Sequence, residues 1–389
     1  MLLPYDPTTV LDLADELDRW KTRLDYRGPL PRAWAGRLRC DLEAEAVAAS
    51  TSMEGVPVTV EEVRRILAGD LPPETREEDA ALVRGYRDAM SFVLRRADDL
   101  AFRWDRELLI GLHDRILAGN WGAGAGRFRT GPAYVVDSRT GELVFQPPPW
   151  EELPGLVDSA CSAMQEGLEH PAIGAAWIHA IVAAIHPFQD GNGRASRVLA
   201  SLAMYRGGFK LPEFTSLEEW WGRHLSEYYA GFRCLGETFD PSADVTPFVR
   251  AHMEGQLHQV RALDLRGRVQ QRIWTAVEEA VSAAGLESRV ANAVWDAFFG
   301  MSVTPRYYRP LADISPATAT NDLAAAVAAG LLRPEGRARS RRYEAGDSLY
   351  LRIGSALGVH TGESDEAARA IIIGELTKRV ASERAEAGR

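Results

Sequence analysis

Two apolar runs at helical spacing, Ala172–Ile185 and Ala195–Tyr205, meet at a polar stretch, His186 to Arg197, that reads HPFQDGNGRASR. Such runs predict two buried, neighbouring helices. The chain must therefore hold a loop rich in charge and helix breakers against its own core. Any fold it adopts has to satisfy that junction first.

The junction reads as chemistry. Asp190-Gly191-Asn192-Gly193 falls at the start of the second predicted helix. A helix N-terminus offers unpaired N–H groups and the positive end of the dipole. Glycines let the backbone come close to an anion. The turn is thus a candidate phosphate cradle. Arg194 and Arg197 lie three apart on one helix face, where both can direct guanidinium forks at phosphate oxygens. Asp190 beside that cradle repels phosphate unless a cation bridges them, as Mg²⁺ does through a carboxylate and phosphate oxygens. His186 can accept a proton near neutral pH. A plain interhelical turn needs no histidine, acid and two arginines at these spacings. Together they suit phosphoryl or nucleotidyl transfer.

Helical periodicity dominates elsewhere, and a mainly α fold is expected. Helices are predicted over Asp41–Met53, Val60–Leu67, Ala80–Leu100, Asp105–Leu117 and Trp150–Gly167. Thr59 and Glu62 have the spacing of a capping box. A β-hairpin is predicted from Ala133–Val136 and Glu142–Gln146, stopped by Pro147 to Pro149. An isolated hairpin is marginal, so it must lean on another element. The character changes after about Arg261. Leu263–Ala284 reads as one or two helices, and residues 301–345 as helix, turn, helix and hairpin, a winged-helix pattern with the second helix near Ala317–Ala329 and a wing turn at Gly336. A last helix, about Ser364–Ala385, carries Ile372, Leu376 and Val380 four apart on one face.

A chain of 389 residues exceeds one ordinary core, which predicts two or three domains. The net charge of −10 excludes a nucleic-acid footprint over the whole surface. Cys40, Cys161 and Cys234 form neither a disulfide framework nor a zinc site. No apolar run reaches the roughly 20 residues of a membrane span. A cytoplasmic protein is expected.

The stretch His186-Pro187-Phe188-Gln189-Asp190-Gly191-Asn192-Gly193-Arg194-Ala195-Ser196-Arg197 resembles the full signature of Fic-domain proteins, H-x-F-x-[DE]-G-N-G-R-x-x-R. The resemblance extends over roughly Pro29 to Gly236. It implies a Fic-type helical core that transfers AMP from ATP to a hydroxyl of a protein target, itself included. It further implies His186 as general base and Asp190 as Mg²⁺ ligand. Gly191, Asn192 and Gly193 would form the phosphate turn, Arg194 and Arg197 the phosphate clamps, and Phe188 the anchor of the loop. Gly126 to Gly131, GRFRTG, with the hairpin after it, is similar to the family's target-docking flap. Arg129, Val135, Val136 and Val144 are its implied docking residues. Ser50 to Gly55, STSMEG, is similar to the family's inhibitory motif. There Glu54, with Ser50 and Gly55, would pair with Arg197 and keep the γ-phosphate of ATP from it. Tyr228 and Tyr229, for which core packing is the default, resemble family residues near the nucleotide.

The expected organisation is an N-terminal helical region over 1–110, with the inhibitory helix at about 41–55. A catalytic core follows over 111–250, with its flap at about 128–148. A winged-helix-like domain spans 265–350 and a C-terminal helix 360–389. Residues 301–345 hold seven arginines against four acids, a local net charge of +3. Five of these arginines, Arg333, Arg337, Arg339, Arg341 and Arg342, lie on the wing, where phosphate contacts are common. DNA is thus a candidate partner. Thr318, Thr320 and Asn321 could read bases, whereas Asp322 is unsuited to it. Protein interaction or dimerisation through this module is the competing role. Two functional alternatives remain: a nucleotide-sensing DNA-binding regulator, and a Fic enzyme that removes AMP or transfers another phosphate-containing group.

Overall fold

In a computed structural model, described here for residues 2–26, 32–136, 140–214, 217–336, 341–362 and 366–387, helices dominate. In chain order they begin with α1 (Leu11–Asp25), α2 (Arg32–Ser52), α3 (Val60–Leu67), α4 (Glu77–Arg96) and α5 (Arg106–Ile116). A hairpin of β1 (Val135–Val136) and β2 (Leu143–Phe145) comes next. Then come α6 (Leu153–Glu166), α7 (Pro171–Ile185), α8 (Asn192–Arg206), α9 (Leu217–Arg223), α10 (Leu225–Gly231) and the long α11 (Thr246–Ala283). The chain continues through α12 (Ala291–Phe298), α13 (Pro305–Ala312), α14 (Pro316–Ala328), β3 (Leu332–Glu335), β4 (Arg342–Ala345), α15 (Leu349–Ala356) and α16 (Glu366–Ala387). No helix among the described residues is long and apolar enough to cross a membrane.

Two compact units form. One comprises residues 1–29, 41–63 and 73–260, the other 30–40, 64–72 and 261–389. In the first unit α7 and α8 pack on each other, α6 covers α7, and α4 and α5 cover α8. Nearly all of α7 is buried, Gly174, Ala175, Ala176, Ala180 and Ala184 included. These small residues let neighbouring helices approach closely from several sides. Thr59 and Glu62 close the capping box: Glu62 Oε2 accepts from the Thr59 N–H at 2.8 Å, and Thr59 Oγ1 accepts from the Glu62 N–H at 3.2 Å.

The hairpin is antiparallel, with Val135 opposite Phe145 and an irregularity before Val136. Its support is a third stretch of backbone. The Gln146 N–H donates to the Glu237 carbonyl at 2.8 Å, and the Phe239 N–H to the Gln146 carbonyl at 2.9 Å. Part of the turn, 137–139, lies outside the described residues.

In the second unit, Thr304 and Ser315 cap α13 and α14 with their side chains. β3 and β4 pair in register from Leu332–Ala345 to Glu335–Arg342, and Val303 bridges Tyr343 on the far side. Asp322 faces inward rather than off the surface of α14. It accepts from Arg289 Nε at 2.8 Å, Arg289 Nη2 at 3.0 Å and the Tyr308 hydroxyl at 3.0 Å. Glu344 pairs with both Arg333 and Arg342, while Arg337 and Arg339 lie outside the described residues. Ile372, Leu376 and Val380 are buried, and α16 packs against α15.

Candidate active site

The polar junction is a built turn. Asn192, buried at the start of α8, clamps the loop through its side chain. Its Oδ1 accepts from the Phe188 N–H and its Nδ2 donates to the Phe188 carbonyl, both at 2.9 Å. The Phe188 ring is fully buried and stacks on His113, with ring centres 3.6 Å apart. His113 was not foreseen from sequence, since it lies on α5, far upstream. Its Nε2 donates to the Asp190 carbonyl at 2.8 Å, and its Nδ1 accepts from the Gly126 N–H at 3.1 Å. A donor on one nitrogen and an acceptor on the other require the neutral ring, and burial holds its pKa below the ordinary value. Gly191 turns the chain at φ 78°. There an added Cβ would lie 3.3 Å from His113 Nε2, so glycine suits both the angle and the space.

His186 closes α7 in the left-handed region, at φ 49° and ψ 58°, an uncommon place for a residue with a side chain. Arg129 holds it there. Arg129 Nε donates to the His186 carbonyl and the Arg129 N–H to the Pro187 carbonyl, both at 2.9 Å. Its remaining nitrogens donate to the carbonyls of Gly131 and Pro148. This corrects the expectation that Arg129 docks a target: a guanidinium 4% exposed and engaged by three carbonyls is a brace. His186 Nδ1 lies 3.3 Å from the Ala183 carbonyl, which can only accept, so Nε2 carries the free lone pair. Burial lowers the pKa of His186, and Arg129 adds to the effect, so the imidazole is neutral at pH 7.

The two arginines of the loop differ. Arg194 is buried and lies 3.3 Å from Asp190, whose own side chain is half exposed. Its Nε and Nη1 are buried with no partner among the described residues. Orphaned guanidinium donors beside a helix N-terminus are what a phosphate would satisfy. Arg197 is fully engaged. Its Nε donates to Ser50 Oγ at 2.9 Å, Nη1 to the Tyr228 hydroxyl at 3.2 Å, and Nη2 to the Ser50 carbonyl at 3.1 Å and Glu54 Oε1 at 2.8 Å.

Glu54 reaches this point because α2 ends at Ser52 and Gly55 takes the left-handed angle, φ 80°, that lets the chain turn away. The carboxylate lies over the first turn of α8, so close to Gly193 that an added Cβ would collide with Glu54 Oε1. An anionic group thus occupies the end of α8 where unpaired N–H groups and the dipole favour one.

His186, Asp190, Gly191, Asn192, Gly193, Arg194, Arg197, Ser50, Glu54 and Tyr228 therefore converge, although Asn192 does so as a clamp. Tyr229, next to Tyr228, is 57% exposed, and burial and the Glu54 carboxylate raise its pKa. Val135 is half-buried, whereas Val136 and Val144 on the hairpin are each 52% exposed. The hard oxygens of Asp190, partly open to solvent beside unpartnered guanidinium donors, fit an Mg²⁺ ion shared with phosphate.

The sequence model described as the Fic/DOC family matches residues 103–204. Over 222 residues the chain is 28% identical to protein adenylyltransferase Fic of Culex quinquefasciatus, a stretch covering 56% of this chain and 41% of that protein. It is 32% identical over 113 residues to a Fido domain-containing protein of Dictyostelium discoideum, covering 28% of this chain and 74% of that one. The crystal structure of a Fic family protein from Desulfovibrio desulfuricans G20 superposes with a TM-score of 0.57 at 21% identity, over 89% of this chain and 98% of the other. At that identity the likeness concerns the fold. The matched stretch spans less than half the length of the mosquito adenylyltransferase.

Asn192→Ala leaves a buried N–H and a buried carbonyl of Phe188 unsatisfied. It should destabilise the first unit by about 1–3 kcal/mol in urea denaturation. A variant as stable as the parent would show that the clamp does not hold the turn.

Proposed function

The chain belongs to the Fic/DOC family, and from this premise we propose that it is an autoinhibited protein adenylyltransferase, moving AMP from ATP to a hydroxyl of a protein target. The observation that carries the reading is the Glu54 carboxylate, held by Arg197 on the anion-binding end of α8.

In this reading the α8 N–H groups, Arg194 and Arg197 bind the β- and γ-phosphates. A target hydroxyl attacks the α-phosphorus, its proton passes to His186 Nε2, and the bond to the β-phosphate oxygen breaks to release pyrophosphate. Arg129 keeps His186 in its left-handed conformation, so the base is preset. Asp190 would hold Mg²⁺, which when bound neutralises charge on the phosphates. The hairpin, pinned at its base through Gln146, offers an edge to which an extended target segment can add as a strand. Val136 and Val144 flank that edge.

Inhibition follows from competition for one guanidinium. Glu54 cannot stay on Arg197 while a γ-phosphate takes the same donors. A coupling of about 1–3 kcal/mol between such sites would hold activity down roughly 5- to 150-fold.

Glu54→Gly should raise incorporation of labelled AMP, in the presence of Mg²⁺, by a factor in that range. Unchanged labelling would remove Glu54 from the inhibitory role. In that background His186→Ala should abolish labelling while ATP binding persists, and a fully active double variant would refute the general base. Because the His186 pKa is lowered, the neutral base is present above the ordinary imidazole value of about 6.5. The acid limb of the rate profile should therefore lie below that value. A limb centred at pH 7 or above would assign the proton transfer to another group.

A further inference from the structure

The first unit contains a cavity of about 20 Å³, with Arg197 in its lining and every lining residue buried. Its wall is mostly apolar, yet it holds several polar groups. His179 Nδ1, Glu218 Oε2, Trp221 Nε1 and His252 Nε2 are all buried and have no partner among the described residues, and all four residues line this one cavity. Their rings converge: His179 and His252 are 5.3 Å apart between centres, and Trp221 and His252 6.4 Å.

The hydrogen-bond roles of these atoms follow from their neighbours. The Tyr228 hydroxyl accepts from Arg197 Nη1 at 3.2 Å, so its proton is free to go to His179 Nε2 at 3.1 Å. His179 must then carry its own proton on Nδ1, as a donor into the cavity. The Trp221 indole is a donor only. Glu218 takes the Tyr86 hydroxyl on Oε1 at 3.0 Å and also interacts with Ser201 in the same lining; a carboxylate oxygen accepts more than one bond, so Oε2 remains an acceptor. Neutral His252 can present Nε2 as a second acceptor. Two donors and two acceptors around a space that admits one solvent molecule are the complement of a single water. No group of three His, Cys, Asp or Glu among the described residues is arranged to hold a metal ion.

We propose that this cavity holds one ordered water, and that the water completes a chain from Arg197 through Tyr228 and His179 to Glu218 and Tyr86 which fixes the Arg197 guanidinium. His179 is then a positioning residue. It never meets a phosphate, but it sets the hydroxyl that sets the arginine. An apolar residue in its place would leave the Tyr228 proton without an acceptor and loosen the Arg197 Nη1 contact, while both bonds to Ser50 remain.

A high-resolution crystal structure of the full chain should show one water within hydrogen-bond distance of at least three of the four atoms. An empty cavity, a bound cation or side chains collapsed into the space would overturn the proposal. That readout is independent of the transferase reading, on which the second part rests. In a Glu54→Gly background, His179→Leu should raise the KM for ATP by roughly two- to tenfold, the loss of about one hydrogen bond, with kcat little changed. His179→Gln, which keeps an acceptor and a donor, should restore most of it. Equal KM values for the two variants would deny His179 the positioning role. Trp221→Phe removes only the indole N–H from the water and should lower its occupancy without loss of folded protein. A fully occupied water in that variant would contradict the assigned geometry.

Discussion

A guanidinium in a protein keeps its charge, so burying one obliges the chain to surround it with acceptors. Arg197 is 3% exposed, and the first unit is organised around that obligation. Ser50 supplies a hydroxyl and a carbonyl, Tyr228 a hydroxyl, and Glu54 the neutralising charge. Burial works against the charged form, yet Tyr228, Glu54 and Tyr86 outweigh it and raise the pKa of Arg197 further. Three of its four bonds to these groups would survive the departure of Glu54. In the proposed exchange of anions the fold around the arginine would therefore stay in place.

The rest of the site is braced around that arginine. Asn192 and His113 tie the loop to itself and to α5, and the Phe188 ring stacks beneath it. Arg129 fixes the backbone of His186 at an angle the residue would not choose. His186, the α8 N-terminus and both arginines thus lie on or beside braced elements, whereas Glu54 lies just past the end of α2. Arg194 has two buried donors with no partner among the described residues even while Arg197 is engaged.

What could be read from the sequence was what local chemistry and a compact motif encode. The capping box at Thr59 and Glu62 and the helix pair around the loop depend on near neighbours in the chain, and the structure has both. The pairing of Glu54 with Arg197, far apart in sequence, was legible only because both ends carry recognisable motifs. Other features depend on tertiary packing, which leaves no local trace. Nothing in the run around His113 distinguishes a ring that will stack on Phe188. Arg129 sits in a stretch that resembles a docking flap, but its burial against three carbonyls appears only once the chain has folded. Asn192 lies in a turn expected from its sequence to bind phosphate, yet its side chain is engaged by Phe188. Asp322, awkward on a DNA-reading helix, is explained by Arg289 and Tyr308, which draw it inward.

In the proposed mechanism Glu54 and the γ-phosphate of ATP exclude each other at Arg197. The most direct measurement is a pair of crystal structures, parent chain and Glu54→Gly, each with Mg²⁺ and a non-hydrolysable ATP analogue. A γ-phosphate oxygen should lie within hydrogen-bond distance of Arg197 in the variant alone, with Glu54 still on Arg197 in the parent. A parent complex in which Arg197 binds Glu54 and the γ-phosphate together would contradict it.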